Sequence, residues 1–283
     1  MGITAAAVKE LRERTGAGMM DCKKALVEVE GDLDEAIKFL RTKGLAAAAK
    51  RAHRSANDGM VGIVGDASRK AILELNCESE PVSKLAGFRD FGNALVQQVL
   101  DSGAASVKEL KAQPYSGDPK HSVEESISLK IATIGENIVL NRCALVEAPE
   151  GNKLGSYIHM GGKMGVVVEG TETVTEEALH DVALHIAASS PRYVGREEVT
   201  DEILATEKEI ALRQAKEQGK PEAIAEKIVV GKMEKFFEQE VLLEQPFAKD
   251  SSVSVGAYLK TACGNEATIK NFVRFQLGQG SGE

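Results

Sequence analysis

Several stretches carry residue types and spacings that could do chemistry. "GAGMMD", Gly16 to Asp21, has two glycines of a dinucleotide-binding fingerprint, whose backbone N–H groups cradle a pyrophosphate at a helix start. It ends in Asp21 and lies between two helical patterns rather than after a strand, so that chemistry does not fit. "HMGGKM", His159 to Met164, has a Gly-Lys pair without the earlier glycine of a phosphate-binding loop. His180 and His185 are five residues apart, roughly 140° around a helix axis, which does not suit a shared metal. The four cysteines, Cys22, Cys77, Cys143 and Cys263, are far apart with no Cys-x-x-Cys, and they read as isolated thiols of a reducing compartment. Carboxylates are plentiful but sit mostly on charged helix faces. No nucleophile, base and orienting group converge, so the expectation is no catalytic residue, no metal, no cofactor and no enzyme.

Two other stretches read as contact surfaces. Met19 and Met20 follow two glycines at a helix start and point about 100° apart, so the helix cannot bury both and one is expected to be exposed. Lys9 and Arg12 share a helix face, and Lys23 extends that basic patch. The plainer reading of the same residues is core methionine with solvated cations. The second stretch is "LELNCESEPVSKLAGF", Leu73 to Phe88, where an alternating strand turns into a helix through Glu78, Ser79, Glu80 and Pro81. Loops held between buried elements are well placed for function.

The elements that must hold these residues follow from period and punctuation. Residues 1–44 predict three short helices: Thr4 caps the first, "TGAG" breaks it, Asp32 and Glu35 start the third and Gly44 closes it. "LAAAAKRAHRSANDG" reads as a basic, helix-prone connector. "MVGIV" and "KAILELN" predict paired strands joined by "GDAS". A helix from about Ser83 to Leu100 follows, with Leu85, Phe88, Leu95 and Val99 inward, then a loop over "AQPYSGDPKHS", a helix at about Val123–Ile134 and a strand "NIVLNRCALVE". The order recurs: two strands in "GSYIHMGGKMGVVVEG", then a helix in "TEEALHDVALHIAASS". Residues 199–238 predict an antiparallel helical hairpin joined by "GKP", with Ile203, Ile210, Ile224, Ile228 and Met233 as its apolar positions. "EVLLEQPF", a short helix near Val255–Cys263, a strand "TIKNFVRFQL" and a tail "GQGSGE" complete the chain. The fold class is α+β. The domains are an N-terminal module at 1–52, a first lobe at 53–148, and a second lobe at 149–283 that carries the hairpin 199–238.

Composition agrees with a sizeable core. Of 283 residues, 43% are hydrophobic but only 4% aromatic, with no Trp, so the core must be aliphatic. A net charge of −8 disfavours a broad nucleic-acid surface. No apolar run reaches the ~18 residues that a membrane span needs. "MGITAAAVKELRERTG" turns amphipathic at once and reads as mature structure, which points to the cytoplasm.

"LRERTGAGMMDCKKAL" followed by "GDLDEAIKFLRTKG" resembles the N-terminal module of the bacterial elongation factor Ts family. The resemblance continues in order through "LELNCESEPVSKLAGF", "IGENIVLNR", "LGSYIHMGGKMGVVV", "FFEQEVLLEQPF" and "FVRFQLGQG". It implies a three-helix, ubiquitin-associated-like module, a two-lobed core with antiparallel sheets and a projecting helical hairpin. It implies a guanine-nucleotide exchange factor that binds elongation factor Tu, GDP-bound and nucleotide-free, with no direct contact to nucleic acid or membrane. By position, Lys9, Arg12, Met19, Met20, Lys23 and His159 would touch that partner.

The same resemblance makes Ser79, Glu80, Pro81 and Val82 the turn that enters the partner near its magnesium and phosphate site. Members usually read Thr-Asp-Phe-Val-Ala there. Here Glu80 keeps the charge with one more methylene, while Pro81 replaces the aromatic wedge by a rigid apolar bump. Proline is also well tolerated in a helix first turn, where it need touch nothing. Many members continue into a further helical module; the sequence stops at "GQGSGE", so contacts from that module are expected to be absent. Two readings stay open: an active exchange factor, or a Tu-binding module with weak exchange because the turn is altered.

Overall fold

Thr4 accepts a hydrogen bond from the Ala7 N–H and starts α1 (Ala5–Thr15), which Gly16 ends in a left-handed conformation. α2 (Met19–Glu28) and α3 (Leu33–Arg51) follow, the latter capped by Asp32 through the Glu35 N–H at 2.9 Å. Val8, Leu11, Cys22, Ala25, Leu26, Ala36 and Leu40 close over one another as a small core of these helices. The computed structural model describes residues 3–217 and 221–279.

The chain then runs through β1 (Asp58–Gly65), β2 (Arg69–Cys77), one-turn α4 (Glu80–Ser83), α5 (Ala86–Ser102), α6 (Val107–Ala112), β3 (Pro114–Tyr115), β4 (Asp118–Ser122), α7 (Val123–Ile134) and β5 (Ile138–Glu147). It continues with β6 (Asn152–His159), β7 (Met164–Thr171), α8 (Glu176–Ser189), α9 (Asp201–Glu217), α10 (Glu222–Glu240), β8 (Pro246–Phe247), β9 (Asp250–Ser254), α11 (Val255–Cys263) and β10 (Ile269–Gln276). The fold is α+β with antiparallel sheets. No helix among the described residues is long and apolar enough to cross a membrane.

The two larger sheets have one topology. β1-β2-β5 and β6-β7-β10 each join a hairpin to a strand that returns after two or more helices. Each return passes a small hairpin of the same construction. Pro114 pairs with Ser122 and Tyr115 with Asp118, and Pro246 pairs with Ser254 and Phe247 with Asp250. The Val123 N–H reaches the Gln113 carbonyl at 2.9 Å, and the Val255 N–H reaches Gln245 at 3.0 Å. "AQPYSGDPKHS" is therefore a strand pair rather than a loop, and Ser122 and Ser254 cap the helices that follow.

The sheets meet face to face. Val61 and Ile72 of one pack with Leu154, Val167 and Phe275 of the other. Gly165 permits the approach, since a Cβ there would lie 2.7 Å from Val61 and 3.1 Å from Ile63. Beside this contact Glu74 is fully buried, held by Arg142 at 2.7 Å, Asn76 at 3.0 Å and Asn141 at 3.3 Å. Arg142 stacks on the Phe275 ring and donates to the Gln276 carbonyl.

Several sequence expectations change. α3 does not close at Gly44: that residue is buried, and a Cβ would meet Leu129 at 3.4 Å and the Ser128 carbonyl at 3.6 Å, so it sets how closely α3 packs on α7. The alanine run then carries the helix to Arg51. The helix after the turn begins at Ala86, and Leu85 is its exposed cap rather than a core residue. In the hairpin, Ala211, Ala215 and Ala225 are buried while Ile210 and Ile224 face out. Met233 is buried with Val199, Phe237 and Val241 at the hairpin base, beside half-buried Ile203. Of the "GKP" link only Pro221 falls among the described residues, and of the tail only Gly278 and Gln279.

Candidate functional site

β2 ends at Cys77, opposite Ile138 of β5, and α4 begins at Glu80. Between them the backbone leaves the ladder before a helix can satisfy it. The Glu136 carboxylate, from the link between α7 and β5, fills the gap: it accepts from the Glu78 and Ser79 N–H groups, both at 3.1 Å, and from the Ser79 hydroxyl at 2.5 Å. Glu78 returns the contact by accepting from the Asn137 N–H at 2.6 Å. The Cys77 Sγ sits 3.3 Å from the Ser79 carbonyl, and burial pushes its thiol up to about 12, so it stays a neutral donor.

On this base Glu80 and Pro81 are exposed, whereas Val82 is turned into the core with Phe88 and Phe91. Pro81 lies in the first turn of α4, where its missing N–H costs no helix bond. Glu80 accepts from Lys84 at 3.0 Å and lies 3.7 Å from Lys163. The Lys84 hydrogen bond, then the Lys163 charge, hold its carboxyl below the usual range.

Lys163 comes from the turn between β6 and β7. Met160, Gly161 and Gly162 all have positive φ there, at 50°, 66° and 102°. Arg89 of α5 donates to the Gly161 carbonyl at 3.2 Å, and the Val61 N–H of β1 donates to Gly162 at 2.6 Å. These bonds hold the β6–β7 turn against α5 and β1, with Lys163 beside Glu80. Met160 is 72% exposed, with Ile158 and Leu85 also outward. His159 is half-buried with Nδ1 2.9 Å from the Tyr157 hydroxyl, so it is tied to its own strand.

The remaining sequence-derived residues lie apart from this pair of turns. Met19 and Met20 are both exposed, at 59% and 63%, because Cys22, Ala25 and Leu26 already fill the inner face of α2. One exposed methionine was expected; the structure exposes two. Lys23 is one turn on from Met19, and exposed Val27 one turn beyond. Lys9 and Arg12 are exposed on α1, Lys9 beside Glu13 at 3.8 Å. No hydrogen bond or ion pair among the described residues joins α1 or α2 to the Glu80 turn.

His180 packs edge-on against Tyr157, and His185 is buried between Gln245 and the Ala248 N–H, so the two histidines face different partners. Among the described residues no group of three or more His, Cys, Asp or Glu could hold a metal.

A sequence model of the family described as "Elongation factor TS" matches residues 78–279. "Elongation factor Ts" of Trichlorobacter lovleyi is 44% identical over 293 aligned positions, covering 99% of this chain and 94% of that protein. The chain belongs to the elongation factor Ts family. The elongation factor Ts match starts at Glu78 and so takes in the whole turn, Glu136 and Lys163. α1 to α3 and the first two strands fall outside it, but within the span of the relative.

Glu136, Lys163, Arg89 and Met160, which build or brace the two turns, and exposed Val27 of α2 are not singled out by the sequence reading. "IGENIVLNR" and "HMGGKM" had marked the neighbourhoods of three of these, but which turns meet is decided by how the sheets pack.

Proposed function

We propose that this chain is a guanine-nucleotide exchange factor: it binds elongation factor Tu with GDP, disturbs the magnesium and phosphate site and promotes GDP release during translation elongation, in the cytoplasm. The observation that carries this reading is the exposed Glu80–Pro81 pair, fixed from behind by Glu136 and flanked by Lys163. An ionised carboxylate entering a magnesium site competes for the cation or repels phosphate. A turn already held in one conformation loses little entropy on docking. Lys9, Arg12, Met19, Met20, Lys23 and His159 would supply partner contact, methionine and arginine being types enriched at interfaces.

No covalent step is required. Exchange is a coupling free energy, so whatever loosens GDP is itself loosened by GDP. We read the chain as a three-helix, ubiquitin-associated-like module at 1–52, core lobes at 53–148 and 149–283, and a projecting hairpin at 199–238. The module and the Glu80 turn would then engage different surfaces of the partner. Gel filtration of the mixed proteins tests the pairing: a complex should form without nucleotide and dissociate when GDP is added, and a complex indifferent to GDP would count against exchange.

Pro81 supports a second reading, a Tu-binding module with weak exchange. It offers the partner a small apolar bump where the family resemblance implies an aromatic wedge.

A further inference from the structure

The geometry points to Glu136 as the positioning residue of the Glu80–Pro81 turn. This rests on the exchange reading above for its functional consequence, but not for its structural one.

Gly135 ends α7 in a left-handed conformation at φ 89°, which fixes the direction in which the chain leaves the helix. Glu136 comes next and is only half-exposed. Both of its carboxylate oxygens are occupied, Oε2 by the Glu78 and Ser79 N–H groups and Oε1 by the Ser79 hydroxyl. Those two N–H groups lie past the last β2–β5 pair, Cys77 with Ile138. The Ser79 side chain makes no capping bond to α4. The Glu136 carboxylate thus does from outside what a local cap would do, with charge-assisted bonds.

The same short link also holds the end of α3. The Arg51 Nε donates to the Gly135 carbonyl at 3.0 Å, and the Asn137 side chain donates to the Arg54 carbonyl at 2.8 Å. Gly135 to Asn137 therefore ties the helix shared with the N-terminal bundle to the turn that presents Glu80 and Pro81. Binding is shared with the α1 and α2 residues, whereas the turn acts at the magnesium site, so loss of Glu136 lowers how fast bound partner releases GDP more than how tightly the factor binds.

Two measurements on the full chain test this, comparing the unsubstituted protein with Glu136→Ala and Glu136→Gln. In amide hydrogen exchange, Glu136→Ala should speed exchange at Glu78 and Ser79 by on the order of tenfold, as expected for N–H groups that lose their acceptor. In stopped-flow release of fluorescent GDP from elongation factor Tu, it should lower the limiting rate by about tenfold and shift the half-saturating concentration less than about threefold. Glu136→Gln keeps one acceptor oxygen and should recover part of both. Unchanged protection at Glu78 and Ser79 overturns the inference. So does an unchanged limiting rate when the unsubstituted chain is active. If the unsubstituted chain does not accelerate release while Glu136→Ala still loses protection, the exchange reading fails and the positioning role of Glu136 stands.

Discussion

Glu80, on the turn after β2, lies 3.7 Å from Lys163, on the turn between β6 and β7, so one ion pair spans the tips of two separate sheets. Both side chains are about half exposed, so the pair adds little to stability. Its effect is on charge state. The Lys84 hydrogen bond is the larger influence on Glu80 and Lys163 the next, and both lower its pKa. The carboxylate therefore stays ionised as pH falls from neutral to the ordinary glutamate range. NMR titration of Glu80 should show protonation below that of a free glutamate, and Lys84→Met should return it towards the ordinary value. Release rates should carry no titration of Glu80 between pH 7 and 5.5.

Pro81 is exposed in the first turn of α4. An aromatic ring there should add contact area in the complex without disturbing the fold. Pro81→Phe is expected to raise the limiting rate of GDP release about three- to tenfold, the scale of one well-placed aromatic contact. An unchanged rate would mean that the turn does not act as a wedge in this chain.

Met160 combines a left-handed backbone at φ 50° with 72% exposure, an unfavourable placement for a side chain with no role. Met160→Gly should relieve the backbone and raise stability by roughly 1 kcal/mol in chemical unfolding. The same variant should weaken complex formation several-fold by calorimetry. A gain in stability with unchanged affinity would mean that Met160 does not touch the partner.

The buried Glu74–Arg142 pair governs stability rather than docking. Arg142→Met leaves a charged carboxylate without its partner and should destabilise the chain by about 3–5 kcal/mol. Adding Glu74→Leu should restore most of that, because two apolar side chains can fill the same space. Urea unfolding of the two variants measures both.

Period and punctuation made most elements legible. The two strand pairs, the helices that follow them and the helical hairpin lie where alternation and helical spacing predict them. What failed depended on contacts between distant segments. Gly44 reads as a helix stop, but α7 packs against it and the helix continues. Leu85 reads as core, yet α4 and Pro81 delay α5 by a turn and leave it outside. Ile210 and Ile224 read as an inner seam that alanines occupy instead. "QPYSGD" and "QPFAKD" sit at corresponding places in the two sheets' connections, a likeness plain only once both are seen as hairpins. The turn at Glu80 could be picked out from the sequence, but its fastening by Glu136 and its meeting with Lys163 needed the fold.

Whether this chain speeds GDP release from elongation factor Tu is open to direct measurement. Stopped-flow release of fluorescent GDP, with rising concentrations of the chain and excess unlabelled GDP, tests it directly. The rate should rise with concentration, saturate well above the spontaneous rate and fall with Glu80→Ala. A saturating rate equal to that of the partner alone would contradict the exchange reading.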